Sequence, residues 1–385
     1  VTFGHHPEEF VKLNRPASAL VATAASALLL TACGSDPGAA PGGGGGGTTT
    51  GGAAAPSNAN CEGKSTLTGE GSSAQNNAMA VFIQAYQQAC DGRNVAYNPT
   101  GSGAGIKQFS AGLVDFGGSD SPLAAAEEGP AAQRCGGSPA WNIPLVFGPV
   151  ALAYKLEGVD GLVLNGPTAA KIFSGGVTTW NDPAIAALNP GAQLPASPIT
   201  VIFRSDDSGT SENFQKYLQA SSKGAWTKGS GKKFLGGVGE GREKSAGVAQ
   251  AVSQAGGAIT YVESSFAKDN NLSIAKIDNG SGPVELTDAT AAKAIEGAKI
   301  AGEGNNLKLD LDSIFGSSEA GSYPLVLATY EIVCSKGYAP DVSQALKSFM
   351  KVALSSDPAK LAEAGYTPLP DGFKSKVTSA VDAIG

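Results

Sequence analysis

Three times in this sequence a short β-rich segment runs through glycine and serine into a pattern of helical period. Ser65–Gly69 leads to a stripe of Ala78, Phe82, Ala85 and Ala89, Asn94–Asn98 leads to Ile106, Phe109 and Leu113, and Ile199–Arg204 leads to Phe214, Tyr217 and Leu218. Strands that alternate with helices come together as parallel neighbours with the helices laid over the sheet, so the pattern predicts an α/β fold with mostly parallel sheets. Asp182-Pro183 marks one further helix start of a purely structural kind, with Asp at the cap and Pro in the first turn. The strand-like segment Tyr323–Val333 follows a long region of similar βα character and is placed to return the chain to its first domain. The first sixty residues offer little to bury. The remainder, about 325 residues, exceeds what one hydrophobic core usually serves, and two domains are expected.

Apolar residues make up 42% of the chain and charged residues 16%, which suits a compact, turn-rich protein rather than a disordered one. The net charge is −7, and removing residues 1–32 takes away two acids (Glu8, Glu9) and two bases (Lys12, Arg15), leaving it unchanged. Nucleic-acid binders carry the opposite sign or a basic block, and no such block is present, so a nucleic-acid partner is excluded. The two histidines, His5 and His6, both precede the apolar stretch discussed next. Everything downstream therefore lacks imidazole, which excludes histidine triads, histidine metal sites and histidine proton shuttles.

Residues 17–32, ASALVATAASALLLTA, form an apolar core behind Lys12 and Arg15 and ahead of Cys33. A basic start, a core too short for a comfortable membrane span and small residues before the cut describe an export signal over residues 1–32, with residues 1–10 read as an upstream mis-start. Leu30-Thr31-Ala32-Cys33 resembles the lipobox of bacterial lipoproteins, in which the cysteine becomes the lipidated first residue. The Gly-rich stretch that follows, within residues 33–60, is a tether with a root-mean-square reach of about 30 Å. Four further cysteines, Cys61, Cys90, Cys135 and Cys334, imply two disulfides in an exported chain, with three pairings open. Cys61 opens the first expected strand and Cys90 closes the first helix, ends that share one edge of a parallel βαβ unit. That placement favours Cys61–Cys90 and leaves Cys135–Cys334.

Three segments concentrate the chemistry: Gly69-Glu70-Gly71-Ser72-Ser73-Ala74, Thr100-Gly101-Ser102-Gly103-Ala104-Gly105, and Arg204-Ser205-Asp206-Asp207-Ser208-Gly209-Thr210-Ser211. Each ends a strand and opens a helix. There the unpaired backbone N–H groups and the positive end of the helix dipole favour an anion. Hydroxyls add donors, glycine lets the backbone approach closely, and Arg204 brings a planar fork suited to an oxyanion. Taken singly each loop is weak, because serine at a helix start is more often a cap than a ligand. None of them matches the phosphate-binding loop of nucleotide hydrolases. A fourth segment, Val114-Asp115-Phe116-Gly117-Gly118-Ser119-Asp120-Ser121-Pro122, places an acid nearby, which makes sense beside an anion that still carries a proton.

TGSGAGIKQ (100–108), VDFGGSDSPL (114–123), TTWNDPAIAALNPGAQLP (178–195), FRSDDSGTSENFQKYL (203–218) and GGAITYVESSFAK (256–268) together resemble the phosphate-binding protein of the Pst ABC transporter, in order from about residue 61 to the end. The resemblance implies a two-lobed clamp of the type II periplasmic-binding-protein kind, with mixed, mostly parallel sheets flanked by helices and two strands crossing between lobes. Lobe 1 would comprise residues 61–147 plus 323–385, and lobe 2 residues 148–322. Carried over motif by motif, the resemblance assigns phosphate to the Ser73 hydroxyl, the Ala74 backbone N–H and Ser102. It makes Asp120 the acceptor of the phosphate proton. The Arg204, Ser208 and Thr210 side chains and the Gly209 backbone N–H complete the set, while Asp206 holds the fork of Arg204 from behind. Asp207 stands where the family often has glycine and brings an extra carboxylate to the neighbourhood. The implied protein is no enzyme and needs neither cofactor nor metal. It is expected as a monomer, lipid-anchored on the outer face of the cytoplasmic membrane, that hands inorganic phosphate to permease subunits of an ABC importer. Two rivals stand beside this reading: the same fold binding sulfate, molybdate or a phosphate ester, and a secreted Ser-Lys hydrolase. S-x-x-K occurs at Ser230, Ser265, Ser273 and Ser348, but without K-T-G, S-D-N or G-x-S-x-G to accompany it.

Overall fold

The computed structural model describes residues 60–385. The segments read from the sequence as export signal and tether, with Cys33, lie outside the described residues. The principal sheet has ten strands, eight of them on one continuous path. In chain order these are β1 (Thr66–Gly71), β2 (Asn94–Asn98), β3 (Phe116–Ser119), β4 (Ala140–Lys155), β5 (Thr200–Arg204), β6 (Glu240–Arg242), β7 (Ala258–Glu263) and β8 (Val326–Cys334). They lie side by side as β2-β1-β3-β8-β4-β7-β5-β6. Both flanks are parallel, β1 with β2 and β3 on one side and β5 with β6 and β7 on the other. The middle is antiparallel, where β8 pairs with β3 and β4, and β4 with β7. The sheet is thus mixed, with the parallel pairing expected from the βα repeats confined to its two ends.

β4 organises the molecule. Its first part, Ala140–Pro149, pairs with β8, and its last part, Val150–Lys155, pairs with β7. It is buried over nearly its whole length, which is why AWNIPLVFGPVALAYK reads as an almost unbroken apolar run rather than an alternating one. Pro144 cannot donate to the ladder. The register against β8 shifts between Thr329 and Tyr330, opposite Val146 and Pro144, so a bulge absorbs the missing donor.

Helices follow the strands as the sequence requires. After β1 comes α1 (Asn76–Ala89), which buries Ala78, Met79, Phe82 and Tyr86 and leaves Ala85 and Ala89 half-buried. After β2 comes α2 (Ser102–Ser110), burying Ile106 and Phe109, while Leu113 falls beyond its end and is exposed. After β5 comes α3 (Gly209–Ser221), burying Phe214, Tyr217 and Leu218. After β6 comes α4 (Lys244–Gln254), whose Val248, Ala249 and Val252 close a smaller apolar cluster over β4, β5 and β7. The start expected at Asp182-Pro183 is present, with the Asp182 carboxylate accepting the Ala184 N–H at 2.8 Å. Cys61 is bonded to Cys90, and Cys135 to Cys334, each with Cα atoms 5.3 Å apart. The first bond ties the entrance of β1 to the end of α1, and the second ties the loop before β4 to the end of β8.

Candidate functional site

The ends of β1, β2, β3 and β5 and the starts of α1, α2 and α3 converge. Ser72, Ser73 and Ala74 link β1 to α1, Ser102 begins α2, Asp120 follows β3, and Ser208 caps α3 immediately before Gly209 and Thr210. The N–H groups of each first turn have no acceptor within their own helix, and the aligned peptide dipoles make that end positive. Gly209 sits where it does because nothing larger fits: a Cβ there would lie 2.7 Å from Asp120 Cβ and 2.8 Å from Ser102 Oγ. Gly101 adopts a φ of 106°, open to glycine and rarely to other residues, in the turn that starts α2.

Two hydrogen-bonded branches meet at the start of α3. In the first, Ser102 Oγ donates to Asp120 Oδ2 at 3.0 Å and accepts the N–H groups of Asp120 at 3.1 Å and Gly209 at 3.2 Å. Ser72 Oγ donates to the other carboxylate oxygen of Asp120 at 2.5 Å, and Asn213 Nδ2 holds the Asp120 carbonyl at 2.7 Å. In the second, Arg204 presents Nε and Nη2 to Asp206 at 2.7 and 2.5 Å, leaving Nη1 to donate to Ser245 Oγ at 3.0 Å and, more weakly, to Thr210 Oγ1 at 3.5 Å. Ser73 Oγ accepts the Ser245 N–H at 3.0 Å and lies 3.2 Å from Ser245 Oγ. Thr210 Oγ1 donates to Glu263 Oε1 at 2.6 Å. Ser208 Oγ accepts the Ser211 N–H at 3.2 Å, so it caps α3 and keeps its own proton to give. Ala74 is fully buried in the turn beside Ser73, and its carbonyl accepts the Tyr366 hydroxyl at 2.5 Å.

The eight residues read as ligands from the sequence thus lie in one buried region, and Asp206 pairs with the guanidinium. The sequence reading missed Ser72, Ser245 and Glu263. Ser245 carried the same signal as the others, a serine in the first turn after a strand end, but β6 is only three residues long and reads poorly as a strand. Asp207, the extra carboxylate, stands at the rim. Its Oδ2 is 3.2 Å from Lys107 Nζ, and its carbonyl accepts the Gly103 N–H at 2.9 Å.

The charges are unevenly compensated. For Arg204, burial opposes ionisation, but the bonds and charge of Asp206 outweigh it and hold the guanidinium firmly charged. For Asp206, burial is likewise outweighed by Arg204 and the Lys244 N–H, and its carboxyl is held below the usual range. Asp120 goes the other way. Burial, then the charge of Glu263, push it up to about 7 against the opposing pull of Ser72, Arg204 and Ser102. With Asp206 cancelling Arg204, attraction for an anion must come from hydroxyls, N–H groups and helix ends. An acid near neutrality among such donors takes or gives a proton at little cost.

Residues 46–357, which carry this mixed α/β sheet and the loops at its strand ends, match the family model described as a PBP superfamily domain. The chain belongs to that superfamily and, within it, to the PstS proteins. It is 50% identical over 376 residues, 97% of this chain and 100% of the relative, to phosphate-binding protein PstS 3 of Mycobacterium tuberculosis. To PstS 2 of the same species it is 47% identical over 378 residues, again 97% of this chain and 100% of the relative. To PstS of Pasteurella multocida it is 32% identical over 321 residues, 81% of this chain and 88% of the relative. Among solved structures, a high affinity periplasmic phosphate-binding protein (PfluDING) bound with phosphate superimposes with a TM-score of 0.65 at 21% identity, over 82% of this chain and 93% of that one. A phosphate binding protein from Stenotrophomonas maltophilia does so with a TM-score of 0.60 at 22% identity, over 82% and 94%. These two likenesses bear on the fold.

Proposed function

We propose that this protein binds inorganic phosphate outside the cytoplasm and delivers it to the permease of an ABC importer. The observation that carries the reading is the buried carboxyl of Asp120, held by Ser72 and Ser102 and facing the start of α3. Donors from helix starts, together with Arg204, suit the unprotonated oxygens of a tetrahedral anion, and Asp120 suits its P–OH group. The ligands are Ser73, Ala74 N–H, Ser102, Asp120, Arg204, Ser208, Gly209 N–H and Thr210. The partner exchange of β4 near Pro149 supports two jaws, 61–147 with 323–385 and 148–322, joined by β4 and by the stretch that enters β8. Family membership supports a carrier rather than a catalyst, and the lipobox-like LTAC supports a receptor tethered through a lipid on Cys33.

Calorimetric titration of phosphate-stripped protein tests the ligand. Tight phosphate binding with no detectable sulfate binding is expected, and sulfate binding of equal strength would transfer the reading to a general oxyanion receptor. Cys33→Ser tests the tether. It should move the protein to the soluble or secreted fraction with phosphate binding intact, and retention on membranes would disprove lipid attachment there.

A further inference from the structure

Close to Asp120 lies a buried polar group that the binding reading leaves unused. Glu331, in the middle of β8, is fully buried, and neither carboxyl oxygen has a hydrogen-bond partner. It pairs in register with Gly118 of β3, so its side chain rises on the face where a Gly118 side chain would stand. That space is already taken: a Cβ on Gly118 would lie 2.2 Å from Gln75 Nε2 and 2.3 Å from Tyr97 Oη.

The proton directions in this cluster can be worked out from one end. The Ser72 carbonyl can only accept, so the Tyr97 hydroxyl, 2.8 Å away, donates to it. With that proton spent, Tyr97 Oη must accept from Gln75, which therefore presents its Nε2 at 2.8 Å. Gln75 Oε1 is then directed elsewhere, and it too is buried without a donor. Two carboxyl oxygens buried without a full partner would cost most of their desolvation if the group were ionised. One proton on Glu331 removes most of that cost.

We infer that Glu331 is held as a neutral carboxylic acid beside Asp120 and the Gln75–Tyr97–Ser72 chain, and that its ionisation sets the alkaline limit of anion binding. The inference rests on the phosphate reading for its second part only. The groups that face Glu331 are Gln75 from the start of α1, Tyr97 from β2 and Asp120 from beyond β3, while its β4 partner, Ile143, is apolar. Burial is the main influence on it, followed by an opposing contact from Gln75 and the reinforcing charge of Asp120, and together they push its carboxyl up to about 8. Once ionised, it would set a second negative charge beside Asp120, unfavourable to an incoming anion.

Infrared difference spectra of ligand-free protein test the first part. A protonated-carboxyl carbonyl band that persists in Asp120→Asn, where it bleaches as pH rises through about 8, and that is absent from the double variant Asp120→Asn with Glu331→Gln, is expected. Should the double variant not fold, the pH-dependent band in Asp120→Asn still decides the matter. Calorimetry with inorganic phosphate tests the second part. Glu331→Leu, which cannot ionise, should keep its neutral-pH affinity into the alkaline range, where wild type should lose about tenfold. Glu331→Gln should also lack the alkaline fall in affinity seen in wild type. Absence of the band, or a Glu331→Gln profile that falls at high pH as wild type does, overturns the inference. Failure of wild type to bind phosphate at all would instead overturn the functional reading and leave the infrared result standing.

Discussion

Arg204 and Asp206 lie two residues apart at the end of β5 and face each other fork to fork, Nε to Oδ1 at 2.7 Å and Nη2 to Oδ2 at 2.5 Å. The Arg204 side chain is 2% exposed and that of Asp206 14%. The pair commits two of the guanidinium's three nitrogens to orientation and leaves Nη1 to the site. Arg204→Ala should weaken phosphate binding by about 2 kcal/mol or more, because it strands Asp206 as well as removing a donor. Arg204→Lys should recover only part of this, since an ammonium cannot fill a bidentate geometry. Asp206→Asn should weaken binding less than Arg204→Ala. Titration calorimetry on the three variants measures the series, and an unchanged affinity in Arg204→Ala would remove this loop from the site.

Asp120 should control the choice between phosphate and sulfate. A P–OH group can donate to its carboxylate, whereas sulfate offers only bare oxygens. Two like charges at about 4 Å repel by about 4 kcal/mol at an effective dielectric of about 20. Asp120→Asn removes the repulsion and supplies a donor, so the phosphate-to-sulfate affinity ratio should shrink markedly. An unaltered ratio would show that selectivity lies elsewhere.

Ser245 bridges the Ser73 loop to Arg204 Nη1. Ser245→Ala keeps the backbone N–H on Ser73 but removes the hydroxyl that receives Arg204. A loss of about 1 kcal/mol in phosphate affinity is expected, with little change in melting temperature. Equal affinity for wild type and variant would mean that Nη1 is oriented without Ser245.

The two disulfides close loops of very different length, with sequence separations of 29 and 199. On the chain-entropy account, loss of Cys135–Cys334 should cost about 2 kcal/mol more than loss of Cys61–Cys90. Denaturant melts of the two double-serine variants give the comparison, and equal costs would show that native-state effects dominate over loop entropy.

Stability of the ligand-free protein should fall as pH rises from about 4 to about 8. Asp120 and Glu331 have folded-state values raised from 3.8 to about 7 and from 4.5 to about 8. In that window the folded state holds protons that the unfolded state has lost. Their contribution is therefore complete below the unfolded values and disappears as pH passes the folded ones. Asp206 and Glu212 are lowered and act oppositely, losing their contribution only at still more acid pH. Thermal melts in phosphate-free buffer should show the decline, flattened in Asp120→Asn and in Glu331→Gln, and a melting temperature rising across this window would contradict the assignment.

Local chemistry explains what was legible beforehand. Strand runs, helix stripes and the Gly/Ser turns between them depend on near neighbours, so the sequence marked where helices start. Because a helix start attracts anions wherever it lies, it also marked Ser73, Ser102 and Ser208 as candidates. The absence of histidine downstream of residue 6 was likewise final before any coordinate was known. The contacts that give these groups their roles join residues far apart in the chain. Ser73 meets Ser245 across 172 positions, Ser102 meets the Gly209 N–H across 107, and Thr210 meets Glu263 across 53. No local pattern separates Ser72, which holds Asp120, from Ser73 beside it. Charge state is decided the same way. Asp120, Asp206 and Glu331 are ordinary acids in the sequence, and only the folded chain surrounds one with Arg204, another with serine hydroxyls and the third with apolar strand and a single amide. A carboxyl's proton depends on the solvent it has lost and the partners it has gained, and both are properties of the packed structure.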